Sequence, residues 1–175
     1  ETSQRLVDVL LEALALQSNG QGTMNNFLFG NERFGFYETI GGGAGAGPGW
    51  HGRSGCHVHM SNTAITDVEV LEERFPVRVR EFGIRRGSGG PGTWHGGDGL
   101  VREVEFLETM TVSLLTQRRV KGPRPNGTPG RNLLFRQGEW RELGGAACLE
   151  VGPGDRIRLE TPGGGGWLQS ADGAL

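Results

Sequence analysis

Two histidines separated by one residue, His57 and His59, have the clearest chemical potential in this sequence. On an extended strand, residues i and i+2 point to the same side, so two imidazoles placed in this way could bind one metal ion. Asp67 lies near enough in sequence to add an oxygen ligand, which makes His57, His59 and Asp67 the candidate metal set. The alternatives are an active-site role without a metal and a structural role satisfied by neighbouring groups.

A run of small residues, 41–49, invites comparison with a phosphate-binding loop, because its backbone N–H groups could converge on an anion. A Walker loop ends in Gly-Lys-Ser/Thr, whereas Trp50, His51 and Gly52 follow here, and no helix pattern begins directly after the run. We therefore favour a loop whose backbone closely approaches another part of the chain over a nucleotide site.

The nucleophilic side chains form no recognisable catalytic arrangement. Ser54 and Ser88 lie in glycine loops that lack the strand–turn–helix pattern of a nucleophile elbow. Cys56 and Cys148 are far apart and belong to no CxxC pair or zinc-type spacing, which fits a reducing compartment. Cys56 and His57 are adjacent and would face opposite sides of a strand, so we expect an inert, buried cysteine.

Length and charge limit the possible partners. The chain has 175 residues and a net charge of −2, without a long basic run, so we expect no nucleic-acid partner. No apolar run approaches the roughly 20 residues of a membrane span, and a signal-peptide layout is missing, so we expect no membrane and a cytoplasmic location. The length favours a single domain over residues 1–175.

Glycine is the outlier of the composition, with 33 of 175 residues, against a usual share of about 7%. The glycines cluster at 41–55, 87–99, 144–154 and 163–166, between apolar and β-branched segments. This pattern is typical of a folded chain that needs tight turns, positive φ or close backbone approach.

The elements that must position these residues are mostly short strands. Apolar spacing predicts an amphipathic helix over 2–17, and Thr66 is the predicted cap of a brief helix over 67–74. Arg85 and Arg86, at a strand end, could bind a carboxylate, but we expect them to be solvated. Extended segments are predicted at 26–30, 33–40, 58–62, 77–85, 100–107, 111–117, 132–137, 139–143, 148–151 and 155–160.

This pattern predicts an α+β, mostly β fold. Many short antiparallel strands would form a sandwich- or barrel-like layer, with an N-terminal amphipathic helix and one short helix.

Several stretches taken together resemble the C-terminal part of hydantoinase B-type proteins. They are Glu-Thr-Ile-Gly-Gly-Gly-Ala-Gly at 38–45, His-Gly-Arg-Ser-Gly at 51–55 and His-Val-His-Met-Ser-Asn-Thr at 57–63. The pattern continues in the family's order at 66–76, 85–90, 96–99 and 161–167 and covers nearly the whole chain. Two residues depart from it, since Ser61 stands where threonine is common and Leu168 follows Trp167 where glycine is usual.

The family includes 5-oxoprolinase, N-methylhydantoinase and the acetone and acetophenone carboxylases, and residues 50–55 are most similar to the 5-oxoprolinase branch. The resemblance implies the C-terminal part of an ATP-dependent cyclic-amide hydrolase that converts 5-oxo-L-proline to L-glutamate in glutathione turnover. The alternatives are part of an N-methylhydantoinase or of an acetone or acetophenone carboxylase subunit, and a non-catalytic assembly module.

The resemblance also implies partners. A hydantoinase A-type region or subunit would bind ATP and Mg²⁺, and a divalent metal would belong to the upstream half of the B-type polypeptide, so no cofactor is expected on this chain. We expect a homo-oligomer, and we expect the isolated chain to be inactive.

The motif residues supply the candidate site. His57, His59 and Asn62 are the candidate catalytic residues, in a lining or supporting role, and Arg53 and Thr63 are the candidate substrate-binding residues.

Overall fold

The computed structural model describes residues 2–59, 61–120 and 126–168. This part of the chain contains two helices, α1 (Thr2–Ala13) and α2 (Val68–Arg74). Its nine strands are β1 (Asn25–Gly30), β2 (Gly35–Thr39), β3 (Val77–Arg85), β4 (Gly99–Phe106), β5 (Met110–Thr116), β6 (Arg131–Arg136), β7 (Glu139–Leu143), β8 (Ala146–Val151) and β9 (Arg156–Glu160). No helix within the described ranges is long and apolar enough to cross a membrane.

The strands form two antiparallel sheets, one with the order β2-β1-β5-β8 and one with the order β3-β4-β9-β6-β7. Neither sheet closes on itself in the described residues, so the architecture is the sandwich rather than the barrel of the two predicted alternatives. The mostly β, α+β prediction is confirmed.

A single hydrophobic cluster lies between the sheets. The Phe29 ring stacks on Phe36 of its own sheet at 4.7 Å between centroids and meets Phe106 of the other sheet edge-on at 5.9 Å. Leu71 adds a side chain from α2 that is 0% exposed. Removing such apolar area from water stabilises the fold by about 25 cal/mol per Å².

The helix α2 begins one residue later than predicted, and its cap is Asp67, not Thr66. The Asp67 carboxylate accepts hydrogen bonds from the backbone N–H groups of Glu69 at 2.9 Å and Val70 at 3.4 Å, the usual contacts of an N-cap. The Thr66 N–H instead donates to Glu38 at 2.7 Å. The predicted N-cap was wrong because Thr66 is bound through its backbone N–H to Glu38 of β2, a strand distant in sequence.

The helix α1 ends at Ala13, before the predicted end at Gln17, and its apolar stripe faces away from the sandwich. The one buried residue of this helix is Asp8. Side chains of the stripe are half to two-thirds exposed: Leu6 58%, Val9 61%, Leu10 51% and, just after the helix, Leu14 65%. Polar contacts therefore attach α1 to the remainder of the described chain.

Beside the sandwich lies a second packing unit built from extended glycine-rich segments, which we call the glycine bundle: residues 41–47, 52–55, 87–97 and 162–166. Its segments are joined by backbone hydrogen bonds, such as Gly43 N to Pro162 O at 2.9 Å and Gly164 N to Gly97 O at 2.8 Å. A Cβ on Gly43 would lie 1.9 Å from the Gly97 oxygen, where no atom fits. The predicted close approach of backbones is confirmed.

Candidate functional site

The candidate site is the loop 57–66, which runs from the glycine bundle to the start of α2. On one side it contacts the end of β2, and on the other it contacts α1. The structure describes this loop apart from residue 60.

The imidazole of His57 is half-buried and meets a hydroxyl. Its Nε2 lies 3.3 Å from Oγ1 of Thr63, while its buried Nδ1 has no hydrogen-bond partner among the described residues. Burial lowers the pKa of His57, and the nearby Glu38 carboxylate opposes that shift only in part. A neutral imidazole keeps one nitrogen lone pair free, which is the requirement for accepting a proton.

The imidazole of His59 points to a different partner. Its Nε2 lies 2.7 Å from Oδ1 of Asp8, and the two side chains are only 12% and 10% exposed. His59 has φ of 53°, in the left-handed region, so the extended segment predicted at 58–62 is interrupted at this residue. Gln4 and Ser61, joined at 3.0 Å, make a second contact between α1 and the loop.

The candidate metal set does not come together. Asp67 caps α2 and His59 pairs with Asp8, so neither side chain is turned towards His57 as a shared ligand. Within the described ranges, no three histidine, cysteine, aspartate or glutamate side chains are grouped so that they could hold a metal ion. The i, i+2 argument fails because the backbone between the histidines is not a strand.

The other candidate residues are placed unequally. Thr63 lies against His57, as a shared site requires. Asn62 and Arg53 are exposed, and no hydrogen bond in the described residues ties either side chain to His57. The backbone of Arg53 belongs to the glycine bundle, where its carbonyl accepts from Ala44 N at 2.9 Å.

Most backbone donors of the glycine run at 41–47 are already occupied. Its N–H groups donate to carbonyl oxygens of other segments: Gly42 to Cys56 at 3.0 Å, Gly43 to Pro162 at 2.9 Å, Ala44 to Arg53 at 2.9 Å and Ala46 to Gly165 at 2.9 Å. These donors are not available to a phosphate group, in contrast to those of a phosphate-binding loop. The run is therefore a packing element, which was the favoured interpretation.

Sequence reasoning missed the buried ion pair between Glu38 and Arg102, on β2 and β4. The Arg102 Nε lies 3.1 Å from the Glu38 Oε2, and the side chains are 0% and 3% exposed. Glu38 stands inside the family motif at 38–45, but nothing in the local sequence indicates an arginine partner.

The ring of His95 stacks on that of His51 at 5.6 Å between centroids, and the His95 backbone N–H donates to the His51 Nδ1 at 2.8 Å. Arg85, predicted to be solvated, is bound instead: it pairs with Glu160 at 2.8 Å and donates to the Pro129 carbonyl at 2.8 Å.

Cys56 is only half-buried. Burial raises the pKa of its thiol, although Arg53 opposes this, so the thiol stays protonated and agrees with the expected inertness.

Comparison with known proteins identifies the relatives of this chain. A family model described as Hydantoinase B/oxoprolinase matches residues 1–169. The chain is 49% identical to 5-oxoprolinase 1 of Arabidopsis thaliana over 95% of its length, which is 14% of that protein. It is 48% identical to the 5-oxoprolinase of Dictyostelium discoideum, covering 96% of this chain and 14% of that one. The chain thus spans a small part of these relatives.

Solved structures share the fold. An ATP-dependent caprolactamase from Pseudomonas jessenii superposes with a TM-score of 0.73 at 23% identity, covering 90% of this chain and 31% of that one. Acetone carboxylase superposes with a TM-score of 0.62 at 14% identity, covering 84% and 26%.

Proposed function

This chain belongs to the hydantoinase B/oxoprolinase family, and from that premise we propose that it forms the C-terminal part of an ATP-dependent cyclic-amide hydrolase that opens 5-oxo-L-proline to L-glutamate. The observation that carries the proposal is the identity of 49% and 48% to two 5-oxoprolinases over nearly the whole chain. A structure with the same fold is an ATP-dependent caprolactamase, so another lactam substrate occurs on this architecture.

Opening a lactam breaks the ring C–N bond after a water oxygen adds to the amide carbon, and it leaves a carboxylate and an amine. Transfer of the ATP γ-phosphoryl group to the amide oxygen, with release of ADP, removes amide resonance and lowers the barrier to that addition. The phosphate leaves as inorganic phosphate when the carboxyl group forms. We assign ATP and Mg²⁺ to a hydantoinase A-type partner region, because most backbone donors of the glycine run are occupied. The rest of the B-type polypeptide, with any divalent metal it holds, is the second proposed partner.

Within this chain, His57 is the proposed proton acceptor near the ring, because its imidazole is neutral and half-buried beside the Thr63 hydroxyl. Thr63 and the exposed Arg53 are the proposed contacts to the polar groups of the substrate, and Asn62 lines the same loop. His59 supports the site by binding α1 through Asp8. The chain acts as one domain in the cytoplasm.

Replacing His57 tests this proposal. In the intact enzyme, His57→Gln is expected to lower ATP-dependent glutamate formation by about 100-fold, the lower end of what general acid–base catalysis contributes. His95→Gln, which alters an exposed imidazole outside the loop, is the matched control and is expected to keep full turnover. Unchanged turnover in His57→Gln would show that His57 is not a catalytic residue, and turnover of hydantoins or acetone alone would select a family relative instead.

An assembly role is the second candidate function, and the exposed stripe of α1 favours it. Leu6, Val9 and Leu10 are more than half exposed and adjacent on one helix face, an arrangement that usually marks an interface. The proposed interface would join this chain to its partner regions or to further copies in a homo-oligomer. Sedimentation of the intact enzyme should show dissociation for Leu10→Asp and not for Leu107→Asp, an equally exposed position after β4.

A further inference from the structure

The ion pair between Glu38 and Arg102 bridges the two sheets without contact with water. Its side chains are 3% and 0% exposed, and the Phe82 ring covers the guanidinium at 4.9 Å from its centroid. In the described residues, Arg102 Nε, Arg102 Nη1 and Glu38 Oε2 have no hydrogen-bond partner, so the 3.1 Å contact between Nε and Oε2 is an ion pair without hydrogen-bond geometry. Removing two charges from water costs several kcal/mol each unless every polar atom is satisfied. Stability alone therefore does not account for this pair.

The hydrogen bonds that the pair does make converge on Thr66. The Glu38 Oε1 accepts from the Thr66 N–H at 2.7 Å, and the Arg102 Nη2 donates to the Thr66 carbonyl at 3.2 Å. The carboxylate thus holds the donor of this residue while the guanidinium holds its acceptor. Hydrogen bonds to charged groups are stronger than those between neutral groups, so the end of the loop 57–66 is fixed in position.

The neighbouring residue of β2, Thr39, makes a second contact with the same loop. Thr39 follows Glu38, and its carbonyl accepts the Thr63 hydroxyl at 3.5 Å. The same hydroxyl lies 3.3 Å from the His57 Nε2. The end of β2 therefore attaches to the loop at two points, Thr63 and Thr66, and Thr63 is also the residue that meets His57.

We propose that Glu38 and Arg102 are positioning residues, which fix the loop 57–66 so that His57 and Thr63 face the substrate. This inference rests on the proposed function of the loop. Neither residue contacts the substrate, and both act through the backbone of Thr66.

Two neutral double variants of the intact enzyme test the inference. Glu38→Met with Arg102→Met removes both contacts to Thr66 without leaving a buried charge, and an apolar replacement of this kind is often neutral or stabilising. Glu38→Gln with Arg102→Met restores an acceptor for the Thr66 N–H. Arg85→Met with Glu160→Gln is the control, since it removes a pair 14% and 14% exposed that does not contact the loop. Hydrogen exchange of peptides from 57–66, kcat and KM are measured for each.

We expect faster loop exchange and a kcat lowered roughly 10- to 100-fold in the Met/Met variant, with KM little changed, because small displacements of a catalytic group cost rate. The Gln/Met variant should recover part of both. Equal exchange and equal kcat in the two variants and the control would overturn the inference. If Met/Met does not fold, Gln/Met is compared with the control alone. Faster loop exchange and a lower kcat in Gln/Met, which lacks the Arg102 contact to the Thr66 carbonyl, support the inference, and values equal to those of the control overturn it.

The exchange and activity measurements separate this inference from the proposed function. A wild-type enzyme that opens no lactam contradicts the proposed function, whereas slow exchange of 57–66 restored by the Gln acceptor still supports positioning. If the wild-type enzyme opens the lactam but neither double variant changes the exchange rate of the loop, the positioning role is overturned and the proposed function is not.

Discussion

The glycine bundle and the sandwich core are held together in opposite ways. In the sandwich, side chains of one sheet pack against side chains of the other, as the rings of Phe29 and Phe106 do. In the bundle, backbone meets backbone, and a Cβ on Gly164 would lie 1.9 Å from the Ala44 oxygen. The sandwich can exchange one apolar side chain for another of similar volume, whereas the bundle has no side-chain volume to exchange.

This difference predicts where the chain tolerates substitution. A packed core loses stability in proportion to the volume removed from it, while a backbone bundle loses it on the addition of a single methyl group. Thr161 joins the two units, since its hydroxyl donates to the Gly41 carbonyl at 2.7 Å and accepts from Leu100 N at 2.7 Å.

The largest effect is expected for Gly43→Ala, whose Cβ would meet the Gly97 oxygen at 1.9 Å. Neither backbone can move without breaking hydrogen bonds, so the free energy of unfolding should fall by at least about 4 kcal/mol. Gly83→Ala, with no atom within 4 Å of the new Cβ, is the control and should change it by no more than about 1 kcal/mol. Denaturant unfolding measures the loss of unfolding free energy in both variants. Similar losses would mean that the glycine bundle tolerates an added methyl group as well as the open position in β3 does.

In the sandwich, removal of volume should matter more than a change of shape. Leu134 is 1% exposed, and Leu134→Ala is expected to cost about 3 kcal/mol. Leu134→Met keeps the volume and should cost less than about 1.5 kcal/mol. A Met variant as unstable as the Ala variant would mean that the sandwich is as intolerant as the bundle.

The junction should give an intermediate loss. Thr161→Val keeps the shape but leaves the Leu100 N–H and the Gly41 carbonyl unpaired in a site 2% exposed, at an expected cost of about 2 kcal/mol. Thr161→Ser keeps the hydroxyl and serves as the control. If the unfolding temperature of the Ser variant falls as far as that of the Val variant, the hydroxyl does not join the two units.

The smallest effect concerns the turn between β8 and β9. Burial alone would raise the pKa of Asp155, but hydrogen bonds from Arg136 and the Gly152 N–H outweigh it and hold that pKa below its usual range. A depressed folded-state pKa adds stability above the unfolded value, which is lost as the pH falls through the folded value. Asp155→Asn should remove this acid dependence, worth under about 1 kcal/mol for a partly exposed pair. If the unfolding free energy of Asp155→Asn falls with pH below pH 4 as steeply as that of the wild type, the prediction is contradicted.

The site shows how far local reasoning reaches. The alternation of apolar residues predicts β5 nearly to the residue, and the motif at 57–63 contains both Thr63 and His57, which the structure brings to 3.3 Å of each other. His59 was misplaced because its φ of 53° interrupts the extended backbone on which the i, i+2 argument depends. The Asp8 partner lies 51 residues away, beyond any local pattern.

The sequence by itself determined nine of the ten predicted extended segments, the presence of the two helices, the family and the close packing of glycines, because each follows from side-chain periodicity, turn chemistry or motif order. Only the tertiary structure decided that Glu38 meets Arg102, that the α1 stripe faces outward and that His57 and His59 have separate partners. Those outcomes depend on which segments become neighbours in the folded chain. Contacts between residues distant in sequence produce no local periodicity from which they could be predicted.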